Sequence, residues 1–276
     1  MSTSPLQPAK DNAQVGPSSS PSTFIGTVPI TARSWTQSEI VTIYVGPKRK
    51  AFRAHKDLLT AKSAYFKKCL EDNKWAEGAS KKIHWDGEDD TVEAVEMMID
   101  WLYGEDLTLD HAPWPVSRHV VDCYKLADKR LMYGFKNALV DALRQRLNRD
   151  DNPRYVTIDS LEHAYTCHLE TSPLYKCMLE SVVWGVSIRE SIYRLGGPWE
   201  WRLSKALENH GIARDLTQEF AFGPRKNPAT ARGCCYHDHS DGPCCGLNNL
   251  EDDSDDPSDN DVRSSSASGN SSDTDA

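Results

Sequence analysis

The residues best suited to chemistry lie near the end of the chain, where Cys234-Cys235-Tyr236-His237-Asp238-His239 is followed across Gly242-Pro243 by Cys244-Cys245. One cysteine from each pair plus the two histidines offers four soft or borderline donors, a set that suits tetrahedral zinc, and Gly242-Pro243 turns the chain back. The spacing is not that of a standard finger. Cys234, Cys235, His237, His239, Cys244 and Cys245 therefore stand as candidate ligands of a structural zinc, with a disordered thiol-rich tail as the alternative. The second candidate is His55, inside AFRAHKDLLTAKSAYFKKCL at positions 51–70. A histidine and a lysine delivered by a strand into a helical pair suit a nucleophile platform, a ligand pocket or a folding nucleus. A general base needs a nucleophile within hydrogen-bond reach and an orienting group. No serine or cysteine motif of that kind accompanies His55, which reads as structural, and the chain reads as non-enzymatic with no cofactor beyond the zinc.

The elements that must position these residues begin near Ser38. Val41, Ile43 and Val45 alternate with Thr42 and Tyr44 in a β-branched strand that Gly46-Pro47 breaks, and a second strand from about Lys50 to Ala54 returns antiparallel. Two short helices follow, with apolar residues at Leu58, Leu59 and Ala61 and at Tyr65, Phe66, Cys69 and Leu70. Asp57 falls near the first helix N-terminus, where its charge complements the dipole. Glu71 to Ser80 reads as a polar loop interrupted by Trp75, and Lys81 to Trp85 as a third strand. Thr91 is a plausible N-cap for a helix carrying Val92, Val95, Ile99 and Leu102, with Gly104 as its stop. Two further helices, one with Val120, Tyr124, Ala127 and Leu131 and one with Phe135 to Leu147, are separated by Gly134. This order, with no βαβ run and no Gly-rich phosphate loop, is α+β rather than doubly wound.

Composition limits the function classes. The 276 residues are 38% hydrophobic and carry a net charge of -9. With a mean hydropathy of -0.61, this composition points to polar segments outside the core. Nine acidic residues and one arginine after Leu250 hold all but one unit of that negative charge. The remainder is nearly neutral, so no cationic surface favours direct nucleic-acid binding. No apolar run reaches the length of a membrane span, and the N-terminus lacks a signal-peptide pattern. An intracellular protein, nuclear or cytoplasmic, is expected. Its cysteines are then reduced thiols, with Cys69, Cys123, Cys167 and Cys177 in apolar helical patterns that suit the core. Lys48-Arg49-Lys50 resembles a nuclear-localisation tripeptide but falls on the predicted hairpin turn.

In this order the residues resemble a BTB/POZ domain. The likeness is carried by Ile40 to Gly46, Phe52-Arg53-Ala54-His55-Lys56, Leu58-Leu59, Ser63-Ala64-Tyr65-Phe66, Trp101-Leu102-Tyr103-Gly104 and Tyr124-Lys125-Leu126-Ala127-Asp128-Lys129-Arg130. Length, polar head and polar tail look most like BTB proteins of filamentous fungi. The resemblance implies a small β-sheet flanked by a helical cluster over residues 36–148, and a protein-interaction module that forms homo- or heterodimers. It also implies, in many members, docking on a cullin scaffold as a substrate adaptor of a ubiquitin ligase. Cullin-binding members carry a hydrophobic-x-Glu motif after the Phe-rich helix, and Trp75-Ala76-Glu77 falls about there, which makes Trp75, Glu77, Phe66 and Leu70 the candidate partner-binding residues. The alternative is a dimerising transcriptional or scaffolding regulator.

Around that domain the sequence predicts a disordered segment over 1–34, a helical extension over 155–222, the Cys/His-rich segment over 232–246 and an acidic disordered tail over 247–276. In the extension, Asp159 is the expected cap of a helix with Leu161, Ala164 and Tyr165, and Ser172-Pro173 opens another with Leu174, Cys177, Met178 and Val182. A last helix is expected to carry Trp199, Trp201, Leu203 and Leu207 and to stop at Gly211.

Overall fold

The computed structural model describes residues 37–71, 75–87, 90–107, 109–110, 116–149, 156–188, 204–222, 227–231 and 233–240. The predicted head, the acidic tail, Trp199, Trp201, Leu203, Cys244 and Cys245 lie outside the described residues.

Alternation of β-branched residues builds the sheet. Strands β1 (Ile40–Val45) and β2 (Lys50–His55) pair antiparallel, with Ile43 opposite Phe52, while β3 (Lys82–Trp85) joins β1 in parallel, with Ile43 beside Ile83. The order is β2-β1-β3, a small mixed sheet. Val41, Ile43 and Val45 point into the core, and on the other face Tyr44 stacks on His84. The hairpin closes with Gly46 at φ +67° and an Arg49 N–H donating to the Gly46 carbonyl at 2.9 Å.

Helices cover the apolar face. The pair α1 (Lys56–Lys62) and α2 (Ala64–Glu71) leaves β2 directly. Where the sequence reads as a loop, the structure has a short helix, α3 (Ala76–Ser80), which the polar string AEGAS could not announce by hydrophobic period. Helix α4 (Val92–Leu102) starts as expected, the Thr91 hydroxyl accepting from the Ala94 N–H at 3.2 Å, and Gly104 at φ +85° follows its end. Helices α5 (Val116–Lys129) and α6 (Tyr133–Arg149) are separated not at Gly134 but at Leu131, which adopts φ +50°. Gly134 lies in the first turn of α6 because its missing side chain admits the Trp101 ring, 3.2 Å from where a Cβ would stand.

The extension continues the same core. Helix α7 (Ile158–Thr166) is capped by Thr157, which accepts from the Ser160 N–H at 3.2 Å, so Asp159 sits in the first turn rather than at the cap. Helix α8 (Pro173–Ile188) opens on Pro173 with Ser172 accepting from the Tyr175 N–H at 3.1 Å. Helix α9 (His210–Ala221) begins where the sequence predicts a stop: Asn209 accepts from the Gly211 and Ile212 N–H groups. One buried apolar cluster runs from Val41 through Leu139, Leu143, Leu161, Leu174 and Leu216 to Tyr236. Between α5 and α7 it is reinforced by a buried Ser117–Ser160 hydrogen bond of 2.7 Å and by His163 on Asp122 at 2.6 Å.

The core reading of the helical cysteines holds for Cys123 and Cys177, which are buried, while Cys69 and Cys167 are half-buried. Burial pushes both buried thiols up, Cys177 to about 12. Iodoacetamide at pH 8 is accordingly expected to modify exposed Cys235 in the native protein and to spare Cys123 and Cys177. Peptide mapping that finds either buried thiol alkylated as fast as in the denatured chain would contradict this placement.

Candidate protein-docking site

A cation ties the end of α5 to α2 and β3. The Arg130 guanidinium, just past α5, lies 4.2 Å from the Trp85 ring centroid and 4.9 Å from that of Tyr65, and donates to Asp90 at 3.1 Å. Its own carbonyl accepts from the Ser63 hydroxyl at 2.6 Å, and that hydroxyl accepts from the Phe66 N–H at 3.1 Å. Ser63 thus caps α2 and ties it to the end of α5. Phe66 and Leu70 follow on the inner face of α2, with exposures of 0% and 1%. They are core residues and offer a partner no surface, which corrects their assignment as direct contacts. The aromatic at Phe66 packs 6.0 Å from Trp85 and the residue cannot turn outward without emptying that space.

Trp75 is different. It precedes α3 in extended conformation, its carbonyl accepts from the Gly78 N–H at 3.1 Å, and its side chain is left 48% exposed. Glu77 is in the first turn of the same helix and half-buried. A large aromatic in water beside a carboxylate can insert into an apolar recess and select a basic neighbour.

His55 makes a structural joint. Its Nδ1 lies 2.6 Å from the Tyr103 hydroxyl, which also accepts from the His55 N–H at 3.3 Å, binding the end of β2 to the turn after α4. Asp57 lies in the first turn of α1, and its N–H donates to the Ser38 hydroxyl at 2.9 Å.

The Cys/His-rich segment is folded against α6 and α8. Tyr236 is buried and donates to Glu180 at 2.6 Å, and Asp238 accepts from Lys136 at 2.7 Å. Asn137 makes a two-way bond with the Asp238 backbone, donating to its carbonyl at 3.0 Å and accepting from its N–H at 2.7 Å. Burial and the Glu180 carboxylate push the Tyr236 phenol well above its ordinary value. Burial works against the Asp238 charge, but hydrogen bonds from Lys136 and Ser240 outweigh it and hold the carboxyl at about 2. Of the predicted ligands, the structure brings Cys234, His237 and His239 together and leaves Cys235 exposed. Sequence reasoning missed the receiving residues Lys136, Asn137, Asp141 and Glu180. Lys136 carried a signal, since it falls in phase with Leu139, Val140 and Leu143 on the buried face of α6 and a lysine there needs a partner.

The described fold is a three-stranded mixed sheet flanked by a cluster of helices, with Trp75 exposed at the start of α3. A family model described as the BTB/POZ domain matches residues 35–147, so this chain carries a BTB/POZ domain from just before β1 to near the end of α6. BTB/POZ domains mediate protein–protein interaction and dimerisation. No curated protein matches the chain. Among the described residues no helix is long and apolar enough to cross a membrane.

Proposed function

We propose that the protein is a substrate adaptor that docks its BTB/POZ domain on the N-terminal domain of a cullin-type ubiquitin-ligase scaffold through Trp75 and Glu77. The observation that carries this reading is the exposure of Trp75 at the start of α3, because a large aromatic left in water is the kind of side chain that anchors protein interfaces. The extension is then the side that meets the substrate, and Phe220 and Phe222 on and after α9 are exposed there. The reading requires an intracellular location, nuclear or cytoplasmic. The likeness of layout to BTB proteins of filamentous fungi makes a fungal cullin the scaffold to test.

Calorimetric titration of the full chain with the cullin N-terminal domain is expected to give a one-to-one complex. Trp75→Ala should weaken it at least tenfold, about 1.4 kcal/mol, and Glu77→Lys should weaken it with loss of its salt dependence. An unmutated protein that forms no complex would overturn the proposal. If that protein instead dimerises with rising concentration, the reading moves to a self-associating transcriptional or scaffolding regulator.

A further inference from the structure

We propose that Cys234, His237 and His239 bind a zinc ion that locks the segment 233–240 onto α6 and α8. The turn that gathers the ligands is already formed. Gly233 adopts φ +79° and the His237 N–H donates to the Cys234 carbonyl at 3.0 Å, closing a tight turn that carries a thiol at its first position and an imidazole at its last. His239 comes two residues later, its ring centroid 6.0 Å from that of His237 with the planes inclined by 61°. One donor atom from each of the three side chains lies within 4.8 Å of the other two. Zinc with Zn–N of about 2.0–2.1 Å and Zn–S of about 2.3 Å sets tetrahedral donors about 3.3–3.7 Å apart. Closing on the ion therefore needs a movement of about 1 Å, within reach of side-chain rotation.

The surroundings supply what a zinc site uses beyond its ligands. Asp141 of α6 lies 3.0 Å from His237 Nε2, so its carboxylate accepts the Nε2 proton and presents the Nδ1 lone pair to the metal, the carboxylate–histidine–metal relay that fixes tautomer and ring orientation. Arg144 in turn donates to Asp141 at 3.2 Å and holds that carboxylate in place. One thiolate and two imidazoles make a borderline-soft set, which favours zinc over magnesium or calcium. Binding releases the Cys234 thiol proton to solvent, and the fourth position is filled by water or a further donor.

Ligands and anchors alternate along the segment. Tyr236, between Cys234 and His237, is the residue on Glu180, and Asp238, between the two histidines, is the residue on Lys136 and Asn137. An ion that fixes the three ligands also fixes both anchors, so metal binding becomes attachment of the segment to the helices beneath it.

The test is elemental analysis of the full chain, produced with zinc in the medium and dialysed without chelator. One zinc per chain is expected, falling below one tenth in Cys234→Ser and in His239→Ala, while the neighbouring Cys235→Ser keeps its full complement. Chelation of the unmutated protein should speed hydrogen exchange over 233–240 and the facing turns of α6 without melting the BTB/POZ domain. Cobalt substitution should give a thiolate charge-transfer band that Cys234→Ser lacks. A folded, unmutated chain holding less than one tenth of a zinc, or a Cys234→Ser/His239→Ala double variant that retains a full equivalent, would overturn the proposal.

Discussion

Replacing Arg130 with alanine should lower the stability of the BTB/POZ domain by about 3 kcal/mol, because it removes one partner of a buried ion pair and leaves the other charged. Asp90 has a side-chain exposure of 6%, and a second cation, Lys129, stands 4.0 Å away. The same substitution empties the space between the Tyr65 and Trp85 rings. Chemical denaturation should record the loss directly, and thermal unfolding should show a midpoint roughly 6–12 °C lower. Arg130→Lys should recover part of it, since an ammonium keeps the charge but not the planar face that lies on two aromatic rings. A midpoint unchanged in Arg130→Ala would mean that the cation decorates this junction without holding it. The Lys-Leu-Ala-Asp-Lys-Arg string of the sequence thereby acquires a physical meaning: its last residue pins α2, β3 and the end of α5 together.

The second large effect is expected at Gly211. A Cβ there would overlap the hydroxyl and ring of Tyr165, which packs against Tyr175, whose own hydroxyl donates to Asp215 of α9 at 3.1 Å. Alanine ordinarily favours a helix over glycine by up to about 1 kcal/mol. At this position overpacking costs about 1–3 kcal/mol and outweighs that gain, because α7 and α9 must part or Tyr165 must leave. Native-state hydrogen exchange should show faster opening of α9 in Gly211→Ala, with protection of β1 and α5 unchanged. Protection of α9 equal to that of the unmutated chain would contradict the close approach.

These two residues also show how far the sequence could be read. Local pattern sufficed wherever a segment decides its own state: the β-branched alternation of β1, the Thr91 cap, the Pro173 start and the apolar stripes of α4 to α8. It failed where a neighbour decides. Gly211 looked like a stop because glycine commonly ends helices, although Asn209 two positions earlier was an equally lawful start, and only the approach of Tyr165 explains why glycine is needed. Thr157 and Asp159 are both capping types, and the first is the one whose side chain accepts from the helix, at the Ser160 N–H. Leu131 takes a left-handed conformation that no leucine advertises, and the short polar α3 has no hydrophobic period to detect.

The candidate docking site was legible in part for the same reason. Trp75 and Glu77 could be located by their order after the Phe-rich helix, but sequence order does not distinguish a surface from its support, and Phe66 and Leu70 belong to the support. The candidate donors Cys234, His237 and His239 were visible in the sequence by residue type. Their seat did not announce itself, because Lys136 and Asp238 meet across 102 positions of chain.

Whether the α2–α3 edge is the face that meets a partner is measured most directly by hydrogen–deuterium exchange of the full chain with and without the cullin N-terminal domain. The expected result is slowed exchange confined to residues 64–71 and 75–80, with α8 and α9 unaffected and the footprint lost in Trp75→Ala. A complex that forms while residues 75–80 exchange as fast as in the free protein would contradict it.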